Sequence, residues 1–264
     1  MKYQRGSIGL TLISTKFFLR RLKMLELLSE VEQTPDPGSV SVYMPPGFSA
    51  PKIEDLLHGG RVHSFPDELS QIASSAKNGA VLFWGDTRKC LVVPPFPLSE
   101  ENTFNGYITQ PLHRLLTSSY IIGLVLVHLG SYAVGVCQGE KLISGKVGTG
   151  LVHGRHKKGG SSQQRFQRRR ENQAREFLDR VCLHVHEQLE PHAQLLNYIA
   201  YGGPHQTILA LQKRCSFLQS FDDRVLPLLD VPSLNQRVLE TTVGRIWSSL
   251  IIDWQEEIKN LDVT

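Results

Sequence analysis

The segment Gly148–Gln173, GTGLVHGRHKKGGSSQQRFQRRRENQ, concentrates residue types that do chemistry on a polyanion. Its glycines let the backbone approach a ligand without side-chain collision. Arg155, Lys157, Lys158, Arg165, Arg168 and Arg169 offer cationic partners for phosphates, and Gln163 and Gln164 offer neutral amides. A glutamine amide is neither a general base nor a nucleophile near neutral pH. It can, however, hold a water beside a carbonyl and donate to charge developing on oxygen. Ser161 or Ser162 is placed to cap a following helix, which would set both glutamines where free backbone N–H groups and the helix dipole favour negative charge.

Other chemistries fit less well. Gly154 and Gly159 have the spacing of a nucleotide-binding GxxxxG loop, but Gly160-Ser161 stands where that motif needs lysine and then serine or threonine. Without that lysine the β- and γ-phosphates lose their main partner. His184 and His186 form HxH, which on a helix points the two rings about 200° apart and so away from a shared metal. Asp222-Asp223 reads as a turn. Cys90, Cys137, Cys182 and Cys215 are far apart and form no CxxC pair, which fits reduced, mostly buried thiols rather than a zinc knuckle or a disulfide framework. No metal and no cofactor are expected.

Charge singles out the same segment. The formal net charge is +4, yet Lys141 to Arg170 holds nine Lys or Arg and no Asp or Glu, so the rest of the chain stands at about −5. One basic segment in an otherwise acidic chain suggests a polyanion docking at one place. The 264 residues, 41% of them hydrophobic and 20% charged, suit a soluble globular protein with a sizeable core.

The elements that must position the loop follow from periodicity. Tyr120–Cys137 is eighteen residues without a formal charge, but its β-branched pattern broken at Leu129-Gly130 reads as two strands rather than a membrane span. A third strand, Lys141–Val147, follows a turn at Gln138-Gly139-Glu140 and leads into the loop. A long helix then carries Phe166, Ala174, Phe177, Val181, Val185 and Leu189 on one stripe and closes at Pro191. Next come a strand at Leu195–Ala200, a Gly202-Gly203-Pro204 turn, a helix to about Ser220, a short strand at Val225–Leu229, and a last helix with Leu239, Val243, Ile246, Leu250 and Trp254 on one face. Upstream, a strand at Ser39–Met44, a helix at Asp67–Ala76 and a hairpin of Ala80–Trp84 with Lys89–Val93 are expected. Ile8–Ile13 is too short for a secretory core, and Phe17–Leu25 reads as a basic amphipathic helix. Met24 offers an alternative start. The expected divisions are 1–35, an N-terminal extension of helical pattern; 36–119, the first part of the folded unit; and 120–264, the unit bearing the loop. Strands alternating with helices make this an α/β architecture with a mixed sheet and packed helices.

His153-Gly154-Arg155, Lys157-Lys158-Gly159-Gly160 and Arg165-Phe166 together resemble the loop of the catalytic middle domain of archaeal and eukaryotic peptide-chain release factors. There a GGQ loop follows a basic HGRGG-like stretch and precedes a helix beginning near an Arg-Phe pair. The match is closest to the Vms-like release factors of ribosome-associated quality control, which carry GxxQ, as Gly160-Ser161-Ser162-Gln163 does here. Aligning the Arg-Phe pairs instead puts Ser161 on the family glutamine, so Gln164 stays an alternative to Gln163.

The resemblance, which covers about Tyr120 to Trp254, implies a codon-independent peptidyl-tRNA hydrolase. Gln163, with Gly160 and Gly159, would form the catalytic loop, and the six named arginines and lysines would contact RNA. The implied partners are the large ribosomal subunit, its rRNA and peptidyl-tRNA, in the cytoplasm, with no membrane and no DNA. A non-catalytic ribosome-binding module and a nuclease cutting near the tRNA 3′ end are the other readings of the same residues.

The charge asymmetry makes a direct prediction. Binding to large subunits should weaken with salt, each neutralised phosphate contributing about 0.7 to 0.9 to the log–log slope. Lys157→Ala with Lys158→Ala should lower both affinity and slope in a sedimentation assay. Affinity that is constant from low to physiological salt would show that the segment is not an electrostatic docking site.

Overall fold

The computed structural model describes residues 9–34, 36–58, 62, 65–151 and 162–259. The chain forms two compact units, Met1–Thr117 with Ser248–Thr264, and Ser118–Trp247. The expected boundary at 119/120 lies two residues from the observed one, whereas the first 35 residues fall within the first unit and residues 248–264 return to it, for reasons that lie in the strand pairing.

The first unit is built on a six-stranded antiparallel sheet. Its strands are β1 (Gly9–Leu19), β2 (Val40–Met44), β3 (Ala80–Trp84), β4 (Lys89–Val93), β5 (Asn102–Asn105) and β10 (Ser249–Lys259), in the order β1-β10-β4-β3-β2-β5. Both faces are covered, which is why β2 and β3 are buried at every position. Val42, Leu82, Leu91, Ile252 and Trp254 face α2 (Ala50–His58) and α3 (Asp67–Ser75). Tyr43, Val81, Phe83, Val92 and Ile251 face α1 (Arg21–Gln33) and α4 (Gln110–Thr117).

Two expectations are corrected here. Phe17–Leu25 is not one helix: residues to Leu19 belong to β1, which pairs with β10 from Gly9↔Lys259 to Leu19↔Ser249. The helix begins at Arg21, and Met24, Leu27, Leu28 and Val31 are its buried stripe. Nor does the last helix reach Trp254. It ends at Ile246, and Leu250 and Trp254 lie in β10. A spacing of four satisfies a helical face and a strand face alike, so these residues continue the pattern of Leu239, Val243 and Ile246 while changing period.

The second unit holds a four-stranded mixed sheet, β8-β7-β6-β9, of β6 (Ile121–His128), β7 (Ser131–Gln138), β8 (Lys141–Thr149) and β9 (Tyr198–Gly202). β6, β7 and β8 form an antiparallel meander, and β9 runs parallel to β6. The uncharged stretch is therefore a hairpin turning at Leu129-Gly130, with Gly130 at a φ of 102° that favours glycine. Among the described residues no helix is long and apolar enough to cross a membrane.

One face of this sheet carries α5 (Ser162–Leu189) and α6 (His205–Arg214). Phe177, Val181, Val185 and Leu189 of α5 meet Val125, Val134, Val136 and Ile199 there, together with Ile208 and Leu211 of α6. After α5 the chain makes a 3-10 turn at Glu190–His192, and after α6 a short helix, α7 (Ser216–Gln219). β9 starts at Tyr198 rather than Leu195, and Val225–Leu229 contributes only isolated bridges to Ile199 and Gly202.

The other face carries α8 (Gln236–Ile246), capped at its start by the Asn235 side chain, which accepts from Val238 N–H at 2.9 Å. A Cβ on Gly145 of β8 would stand 2.8 Å from Leu239 Cδ2, so glycine lets α8 come this close. Trp247 closes the unit by donating its indole N–H to the Gly139 carbonyl at 2.9 Å.

Two substitutions test this packing. Phe177→Ala should cost about 3 to 5 kcal/mol, the usual range for an aromatic removed from a core. Gly203→Ala should cost roughly 2 kcal/mol or more, because Gly203 has a φ of 114° and an added Cβ would meet the Val127 carbonyl. Hydrogen exchange at the β6, β7 and β9 amides would show both losses, and unchanged protection would contradict the assigned packing.

Candidate nucleic-acid interface

The basic loop leaves the sheet at the end of β8 and returns at the start of α5, and side chains of the second unit fix the outgoing end and the anchored half of α5. Gly150 N–H donates to the Gly130 carbonyl at 2.9 Å, tying the outgoing strand to the β6–β7 turn. A Cβ on Gly150 would lie 2.6 Å from Phe177 Cδ2, and one on Gly148 would lie 2.5 Å from the Tyr132 hydroxyl. Gly148 of β8 and Gly150 just after it thus sit directly on the rings of β7 and α5 respectively. Tyr132 in turn stacks on His184, with ring centroids 5.0 Å apart.

His184 Nδ1 lies 2.9 Å from Glu187, which also accepts from Lys146 of β8 at 2.8 Å. The Lys146 ammonium, and then His184, hold the Glu187 carboxyl below the usual range. At this exposure such pairs contribute little stability, but they set the register between β8 and α5.

Beyond Phe177 the helix is different in kind. From Gln164 to Glu176 no side chain is buried. Fifteen residues, Ser162 to Glu176, therefore form about four turns, roughly 22 Å, ahead of the apolar stripe. Phe166, assigned to that stripe from its spacing, is 66% exposed, so the core face begins only near Phe177.

Arg165, Arg168 and Arg169 share one face here, lining a shallow open hollow with Asn172, Gln173 and Glu176. Their spacings of three, four, seven, eight and eleven are those of one helical face. No ion pair with another described residue occupies any of the three guanidinium groups. Asn172 was missed as part of this face, although its position seven residues after Arg165 signals it.

The remaining expected site residues are distributed as follows. Arg155, Lys157, Lys158, Gly159 and Gly160 lie outside the described residues, as does Ser161. Gln163 is in the first turn of α5, its side chain outside the described part, and Gln164 beside it is exposed. No acidic residue occupies that first turn, so the positive end of the helix dipole is not neutralised by the helix's own start.

The histidine and acidic pairs behave as their spacing implies. His186 turns away from His184, placing Nδ1 3.1 Å from Glu190 and its ring 4.9 Å from Phe217. Asp222 and Asp223 lie in a 3-10 turn where Asp223 pairs with Arg224.

The cysteines do not. Cys182 of α5 and Cys215 at the end of α6 are joined as a disulfide, their Cα atoms 5.4 Å apart. The expectation of four separate thiols fails because α6 folds back along α5, bringing together residues 33 apart in sequence. Cys90 and Cys137 are free and buried, and burial pushes each thiol up to about 12. Donor atoms of Cys182, His186 and Cys215 lie within 4.8 Å of one another, although no metal was expected and the two cysteines are bonded to each other. The one sequence signal was the four-residue step from Cys182 to His186.

Comparison with known proteins places this geometry in a family. Residues 121–252, half of the chain, match the family model described as the Actinobacteria/chloroflexi VLRF1 release factor. Peptide chain release factor subunit 1 of Aeropyrum pernix is 26% identical over 222 residues, covering 73% of this chain and 60% of that protein. The same factor from Thermococcus sibiricus is 31% identical over 161 residues, covering 56% of this chain and 39% of that one. The chain thus spans less than two thirds of the length of these relatives. The crystal structure of the archaeal translation termination factor aRF1 is similar with a TM-score of 0.32 and 20% identity, covering 87% of this chain and 73% of that one. The chain belongs to the VLRF1 release-factor family.

Proposed function

We propose that the protein is a codon-independent peptidyl-tRNA hydrolase acting in the cytoplasm on stalled ribosomes or large subunits, with Gln163 positioning the water that attacks the nascent-chain ester. The observation that carries this reading is the core-free first half of α5. It sets Arg165, Arg168 and Arg169 on one face of a rigid element whose first turn holds the glutamines of a GxxQ sequence. Arginines on a helix hold phosphates at fixed spacing, which positions a bound RNA without reading its sequence.

The chemistry asked of the protein is small. The Gln163 amide would fix a water near the ester carbonyl and stabilise charge developing on oxygen, a contribution of order a hundred- to a thousand-fold for a single donor. Gly159 and Gly160 would let the loop backbone approach the terminal adenosine. Arg155, Lys157 and Lys158 would add phosphate contacts around it.

Large subunits carrying labelled peptidyl-tRNA test the proposal. Free peptide with intact tRNA supports hydrolysis, tRNA shortened at its 3′ end would replace it with nuclease chemistry, and binding without change would replace it with a binding module. Gln163→Ala should lower release at least about ten-fold, toward the hundred-fold of a lost oxyanion donor, and leave subunit binding nearly unchanged. Gln164→Ala should have the smaller effect, since successive helical residues point about 100° apart. A reversed order would move the role to Gln164. Wild-type release from both single mutants and the double mutant would end the glutamine mechanism.

A further inference from the structure

We propose that Cys182, His186 and Cys215 form a zinc site that is filled when the two cysteines are reduced and is closed when they are bonded to each other. Cys182 and His186 are one turn apart on the same face of α5, and Cys215 arrives at the end of α6 with its N–H bonded to the Leu211 carbonyl. The two sulfurs and one imidazole nitrogen lie within 4.8 Å of one another, close enough for small side-chain rotations to bring them to one ion.

The imidazole is already held by its neighbours. Glu190 lies 3.1 Å from Nδ1 of His186 and the Phe217 ring packs at 4.9 Å. A carboxylate accepting from Nδ1–H leaves Nε2 with its lone pair, which fixes the tautomer that binds metal and makes the ring a better ligand.

Two thiolates and an imidazole suit zinc rather than calcium or magnesium, and three protein ligands leave the fourth tetrahedral position to water. An open hollow lined by Leu183, His186, Glu187, Glu190 and Pro191 exposes the imidazole side of the grouping to solvent. Cys90 and Cys137 belong to no comparable grouping among the described residues.

The two states exclude each other by electron count. A dithiol reductant donates two electrons and two protons to the Cys182–Cys215 bond, giving two thiols while the reductant closes to its own disulfide. Zinc then displaces both thiol protons as the Zn–S bonds form. Nineteen residues of α5, about 28 Å, separate His186's neighbour Cys182 from Gln163, so the ion would tie α5 to α6 and take no part in the ester chemistry.

The test uses the full chain reduced with a phosphine, freed of that reagent and of metal, and titrated with Zn²⁺ by calorimetry; Co²⁺ serves as a spectroscopic probe. The expected result is one tight Zn²⁺ per chain with about two protons released, and a thiolate-to-cobalt charge-transfer band with tetrahedral cobalt. Cys182→Ser and Cys215→Ser should lose the site, His186→Ala should weaken it at least about ten-fold, and Glu190→Gln should weaken it about ten-fold. Because serine variants can fail to fold, the wild-type chain oxidised with diamide is the second arm and should bind no zinc. Equal zinc uptake by reduced and oxidised wild type, or an affinity unmoved by His186→Ala, would overturn the proposal.

Discussion

The contact on which the second unit depends is the burial of Phe177, Val181, Val185 and Leu189 against the sheet. At about 1.5 to 3 kcal/mol for each fully buried side chain, these four contribute on the order of 6 to 12 kcal/mol as an upper bound. They also decide where α5 is free, because the stripe stops near Phe177 and the helix continues for fifteen residues on its N-terminal side. That half has no core of its own and must be held by local terms. Its sequence supplies them: arginine, glutamine, glutamate and alanine are good helix formers, and Gln167 bonds Glu171 at 3.0 Å one turn away. An anchored half thus makes the exposed half possible.

The charge follows the same division. The arginines at 165, 168 and 169 sit on the exposed half, whereas Lys146 and Arg214 are engaged by Glu187 and Asp179 beside the anchored half. Cations near the core serve as ties between elements, and those ahead of it remain available to a polyanion. For the proposed docking of the loop on RNA this is a sound arrangement, since phosphate contacts made from a helix lose less conformational freedom on binding than contacts made from a loop.

How much of this was legible depended on whether one period could be told from another. The meander, the hairpin in the uncharged stretch and the long basic helix could be read because their alternation is unambiguous over eight or more residues. Leu250 and Trp254 misled because a four-residue spacing fits both periods, and Phe166 because it lies in phase with a stripe that ends before reaching it. Charge and family order pick out the three arginines that share the exposed face, while Asn172 beside them carries only the weaker signal of its seven-residue step from Arg165, being neutral. Nothing local announces that Cys182 meets Cys215, since that proximity exists only after α6 has folded back.

The pairing of β1 with β10 has a consequence for synthesis. β10 lies between β1 and β4 in the sheet, so β1 has no neighbour until β10 emerges, about 230 residues later. At 5 to 20 residues per second that delay is roughly 10 to 50 s. For all that time β1 is an unmatched strand, and for about the last two thirds of it, once β4 has emerged, β4 presents an open edge, the two features that invite pairing with another chain. The inserted unit, residues 118–247, has every strand of its own sheet in hand before then. Vectorial folding should therefore run from the inside of the sequence outward, and the order in which the strands appear makes the first unit, not the loop-bearing one, the vulnerable part of a nascent chain.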